Sequence, residues 1–98
     1  MINFENQLLT EIEDLTTACK RSGYSQEDIN YLVEVLQDNN RANTLLRNKL
    51  IATAGKMLTE YGNFTTDRTD EILSKITGRA FSYIRNIRNN KEYQTKTL

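Results

Sequence analysis

An all-α fold, an antiparallel four-helix bundle with a flexible polar C-terminal tail, is what this sequence predicts, and three observations carry that expectation. Apolar residues recur at i, i+3, i+4 and i+7 in four stretches, about 2–22, 26–40, 44–61 and 66–89, the spacing that places them on one side of a 3.6-residue helix. These stretches fill nearly all of the 98 residues and leave no room for a sheet or an active-site loop. The chain has no Pro, and Gly23 and Gly62 fall between stretches, where helices end. A chain of this length supports one hydrophobic core, so residues 1–98 are expected to form a single domain with a tail over 90–98.

Each element has its own local reasons. The first helix carries Phe4, Leu8, Ile12, Leu15 and Cys19 inward, with Glu5, Glu11, Glu13 and Asp14 on its flanks and outer side, and Gly23 stops it. Ser25 with Asp28 three residues on reads as a variant capping box, and Ile29, Leu32, Val33 and Leu36 form the buried stripe of the second helix. Tyr31 and Val35 fall off that stripe and are expected either to rest on a neighbouring helix, the preferred reading, or to form an exposed apolar spot. The polar run from Asp38 to Asn43 makes a short connector.

The third helix has a wider apolar arc, Leu46, Leu50, Ile51, Ala54, Met57, Leu58 and Tyr61, suited to a central helix touching two or three partners, with Leu46, Leu50 and Met57 expected in the core. Gly62 is expected to supply the left-handed turn, with Phe64 making the apolar contact that accompanies such an end. Thr65, Thr66 and Asp67 can satisfy the free N–H groups of the fourth helix. Ile72, Leu73, Ile76, Ala80, Tyr83, Ile84 and Ile87 share one arc of it. Phe81 lies about 60° beyond that arc at 100° per residue, beside Arg85 and Arg88, which makes it either an exposed ring flanked by guanidinium groups or a boundary residue covered by the tail. From Asn90 onward there is little to bury, and a mobile tail is expected.

Composition limits the chemistry. Hydrophobic residues at 38% and charged residues at 27% suit a chain that folds rather than one that stays disordered. No apolar run approaches the roughly 20 residues that cross a bilayer, and Met1 to Glu5 lack the basic start of a secretory signal, so a cytosolic location is expected. The single cysteine cannot form an internal disulfide, and without His there is no soft partner for a zinc site; Cys19 shares the inward stripe and is read as a small hydrophobe. The absence of His and the scatter of carboxylates over helix faces argue against catalysis, and Gly55-Lys56 lacks the glycine spacing of a phosphate loop. No catalytic residue, metal or cofactor is expected.

Charge is uneven along the chain although thirteen basic and thirteen acidic residues cancel. Residues 1–40 hold two basic and eight acidic residues, 41–74 hold five and four, and 75–98 hold six and one. Either the acidic early helices lie against the basic last one, or the basic end faces an anionic partner such as phospholipid headgroups, an acidic protein surface or nucleic acid. Nucleic acid is the weakest of these, because the total charge is zero and the helix that would follow a turn at Gly23 is acidic.

The run Glu5-Asn6-Gln7-Leu8-Leu9-Thr10-Glu11-Ile12-Glu13-Asp14-Leu15, then Thr44-Leu45-Leu46-Arg47-Asn48-Lys49-Leu50, Lys56-Met57-Leu58, Tyr61-Gly62-Asn63-Phe64-Thr65-Thr66-Asp67 and Ile72-Leu73-Ser74-Lys75-Ile76 resembles the immunity proteins of pediocin-like (class IIa) bacteriocins. The match is of residue type more than identity, spans nearly the whole chain, and uses motifs that other helical bundles share. The resemblance implies a cytosolic, non-catalytic four-helix bundle. It would act at the inner membrane face on the mannose phosphotransferase permease with bound bacteriocin, the C-terminal half deciding which bacteriocin is countered. Carried onto this chain, that half offers Lys75, Arg79, Phe81, Arg85, Arg88, Lys91 and Tyr93 as partner-binding residues. The neutral total charge and the polar last ten residues depart from the family pattern. A monomer is expected. The alternatives are a small regulatory or phage-type inhibitor of a soluble cytosolic protein and, behind it, a nucleic-acid-binding module.

Overall fold

Every element of the computed structural model is helical among the described residues, which are 4–38 and 40–93, with side chains described from Leu9 onward. The side chains of Phe4 and Leu8, expected on the inward stripe, and tail positions 94–98 lie outside that description. The first helix, α1 (Phe4–Arg21), buries Leu15, Ala18 and Cys19 completely. It ends as expected at Gly23, whose φ of +102° lets the Tyr24 N–H reach back to the Cys19 carbonyl at 3.0 Å. Glu11 departs from its expected place on the flank: it is 3% exposed, drawn against the fourth helix by cations described below.

Ser25 and Asp28 form the full reciprocal capping box that starts α2 (Gln26–Gln37). Ile29, Leu32, Val35 and Leu36 are its buried residues, and Val33 packs against the core from the margin. Val35 is buried, while Tyr31 takes the exposed alternative at 54%, because it stands nearly opposite Ile29 and Leu36 on the helix. The connector is more ordered than a plain loop. A 3-10 turn, Arg41–Asn43, is capped by the Asn40 side chain, and the Asp38 carboxylate accepts hydrogen bonds from the Asn40 N–H and Asn43 Nδ2, both at 2.8 Å. Arg47, almost fully buried, donates Nη1–H to the Asp38 carbonyl and so covers the C-terminal end of α2, where a cation suits the dipole.

The third helix, α3 (Thr44–Glu60), touches all four others and is the centre of the molecule. Its buried face is Arg47, Asn48, Ile51, Ala52, Ala54, Gly55 and Leu58. Leu46, expected in the core, is 40% exposed instead, while Leu50 and Met57 are half-buried. The face is shifted because Arg47, Asn48 and Gly55 are buried by what they bind or admit: the Asp38 carbonyl, the Tyr83 hydroxyl and the Arg88 side chain. At its end the left-handed residue is Asn63 (φ +58°) rather than Gly62. Gly62 serves close packing: a Cβ there would stand 2.7 Å from the Leu58 carbonyl oxygen and 2.8 Å from the Phe64 ring.

The expected single helix 66–89 is two. Thr65 caps α4 (Thr66–Thr77), accepting from the Arg68 N–H, and Gly78 ends it in the left-handed conformation (φ +71°). The corner is held by Ser74 Oγ, which donates to the Arg79 carbonyl at 2.6 Å, and by Thr77 Oγ1, which accepts from the Arg79 N–H at 3.2 Å. The chain restarts as α5 (Phe81–Asn89), with Ala80, expected on the buried arc, exposed at the N-cap. One core joins all five helices, its members from α4 and α5 being Ile72, Leu73, Ile76, Ile84 and Ile87. Residues 90–93 are not a free tail: they form a turn, and Tyr93 packs partly buried against that core.

Candidate partner-binding surface

The nine residues of α5 are too few to hold a helix alone, so its position depends on what it packs against. Ile84 and Ile87 face the core, and polar contacts flank them. On one side the Tyr83 hydroxyl donates to Asn48 Oδ1 of α3 at 2.8 Å, with Asn48 itself 4% exposed. On the other, Asp70 of α4, fully buried, accepts from Arg85 Nε at 3.2 Å on one carboxylate oxygen and from Arg88 Nε on the other. Arg85 also reaches the exposed Asp67 with Nη2 at 2.9 Å.

Gly55 makes this clasp sterically possible. A Cβ at that position would lie 2.5 Å from Arg88 Cδ, so the Arg88 side chain crosses α3 where there is no side chain. A charge buried as Asp70 is tolerable only with such partners, and two guanidinium groups supply them.

A second ionic cluster joins α4 to α1. Lys75 Nζ meets Glu11 Oε1 at 3.3 Å and Glu71 at 3.6 Å, while Arg68 bridges Glu71, Asp14 at 3.4 Å and Glu11 at 4.0 Å. The uneven charge of the sequence is thus partly resolved within the fold. Acidic α1 faces cations of α4, and the basic excess of α5 is met by carboxylates of α4.

The seven residues singled out from sequence therefore divide. Lys75 is tied to α1 and α4, and Arg88 is held to Asp70. Arg85 is paired with Asp67 and Asp70 yet remains 47% exposed, and its guanidinium lies 5.1 Å from the centre of the Phe81 ring, itself 39% exposed. Arg79 covers the Tyr83 ring at 5.6 Å. Lys91 is exposed, and Tyr93 is half-buried on the core. Phe81 is thus flanked by Arg85, and the outward edge of α5 is an aromatic ring backed by a cation.

Sequence reasoning passed over Asp70, Asn48 and Gly55, the three residues that seat α5. Asp70 stands at i and Leu73 at i+3 on α4, a spacing that places the carboxylate on the inner side of its helix. Among the described residues no group of three or more Cys, Asp or Glu side chains is placed to hold a metal ion. No described helix is long and apolar enough to cross a membrane. No protein-family model, no curated protein and no solved structure matches this chain.

Proposed function

We propose that this chain is a bacteriocin immunity protein of the pediocin-like type, a cytosolic, non-catalytic helical protein that protects its cell by contact. In this reading α1, α2 and α3 with the bent pair α4 and α5 form an antiparallel four-helix bundle whose fourth rod turns at Gly78. The partner is a mannose phosphotransferase permease with bound bacteriocin, met at the inner membrane face. The observation that carries the reading is the outward edge of α5, where Phe81 is exposed beside a guanidinium that is already held in place by Asp67 and Asp70. The sequence resemblance supports it and directs the test.

Arg85 and Arg88 enter this reading differently from the way sequence alone suggested. Their charge is directed at Asp67 and Asp70, so they position the helix, while Phe81, Arg79 and Lys91 supply the contact. Nucleic acid fits poorly, since guanidinium groups already matched to carboxylates release few counterions. Expression of the chain in a sensitive strain challenged with a panel of class IIa bacteriocins tests the proposal. Survival against at least one member is expected, and unchanged killing across the panel would remove the reading.

A further inference from the structure

The side of α2 away from the core carries side chains of which only Asp38, through the connector, helps to hold the fold. Glu27, Tyr31, Glu34 and Asp38 fall within about 60° of one another at 100° per residue, a stripe about 17 Å long at 1.5 Å per residue. No ion pair joins Glu27 or Glu34 to a described residue, although α1, α4 and α5 are tied together by ion pairs. Beside this stripe lies an open groove of about 640 Å³ between the C-terminal half of α2 and the start of α3. Tyr31, Val35 and Leu46 give it apolar walls, and Glu34, Asp38 and Asn43 rim it. Tyr31 and Leu46 are the large apolar residues left half or nearly half exposed there.

We infer that this groove is a docking site for a cationic amphipathic helix of a protein partner, with an apolar side chain seated among Tyr31, Val35 and Leu46 and basic side chains meeting Glu34 and Asp38. The charge selects the occupant. A lipid headgroup or nucleic acid would bring anions against anions, and an uncharged ligand would leave Glu34 without a charged partner. The shape agrees, since an open groove with alternating apolar and acidic lining takes a helix by its i, i+3 and i+4 side chains. Asp38 is prepared for the role: hydrogen bonds from the Asn40 N–H and from Asn43 fix its carboxylate and hold its pKa below the ordinary value. The site is separate from the α5 edge and stands whether or not the immunity reading does.

Titration of the isotope-labelled full chain with a synthetic Lys/Leu/Ala amphipathic peptide, and with its twin carrying Glu for Lys, tests the inference by amide chemical shift. Saturable shifts at Tyr31, Glu34, Val35, Asp38 and Leu46 are expected with the basic peptide only, weakening as salt rises. Glu34→Lys and Leu46→Glu, both at exposed positions, should each weaken binding at least about tenfold with melting temperatures unchanged. Shifts elsewhere, no shifts, or equal binding of the two peptides would overturn it. So would self-association of the free chain that Leu46→Glu abolishes, because the occupant would then be a second copy.

Discussion

Asp70 has no exposed surface, yet its carboxylate is met by Arg85 on one oxygen and Arg88 on the other, so removing its charge takes the counter-charge from the largely buried Arg88 guanidinium. Asp70→Asn is expected to cost about 3 kcal/mol in thermal or urea unfolding, the scale for breaking a buried ion pair. Arg85→Ala should cost about 1 kcal/mol or less, since Arg85 is half exposed and Asp70 keeps Arg88. Equal losses would mean that the clasp does not divide as described. Cys19 answers to burial alone: desolvation raises its thiol from 9.0 to about 11. The folded protein should therefore resist thiol reagents near pH 8, and the stability linked to Cys19 is full below about pH 9 and lost as pH rises through 11. Asp38 has the opposite sign. Its lowered pKa contributes stability at neutral pH that disappears as pH falls through and below the ordinary carboxylate range, which a pH titration of its carboxyl carbon signal checks.

At the scale of elements, the caps and stops were the most legible features, because they depend on a few neighbouring residues. Ser25 with Asp28, Gly23 and Thr65 all act where the sequence placed them. The break at Gly78 was hidden by a stripe of Ile72, Ile76, Tyr83 and Ile87 that keeps helical spacing across the corner. The pair Thr77-Gly78 was the signal for it. The face of α3 was misjudged for a related reason: Arg47, Asn48 and Gly55 are buried by what they bind or admit, which hydrophobic periodicity does not register. Gly55 gives a sharp test. Ala is favoured over Gly inside a helix by about 1 kcal/mol, but here its methyl displaces Arg88 from Asp70. Gly55→Ala should therefore lower the melting temperature of the natural chain and raise it, or leave it unchanged, in the Arg88→Ala background. The same sign in both backgrounds would contradict the notch.

For the whole molecule, the all-helical class and the central place of α3 could be read from spacing, whereas the distribution of charge could not be resolved without the fold. The sequence left two uses for a basic C-terminal end, attraction within the chain and attraction to a partner. Arg68 and Lys75 lie against α1, and Arg85 and Arg88 lie against Asp67 and Asp70, so much of that charge works inside the molecule. Among the side chains left outward are the Phe81 ring on α5 and those of an acidic groove beside α2, two surfaces of different chemistry. Function carried by contact should then separate from stability: Ile87→Ala in the core is expected to cost about 2–5 kcal/mol, and Phe81→Ala at the edge about 0.5 kcal/mol or less.

The measurement that bears most directly on the role of the α5 edge is protection of a sensitive strain by the natural chain and by Phe81→Ala, with the melting temperature of each purified protein determined alongside. Protection by the natural chain, lost in Phe81→Ala at an unchanged melting temperature, is the expected result. Full protection by Phe81→Ala, or none by the natural chain, would contradict it.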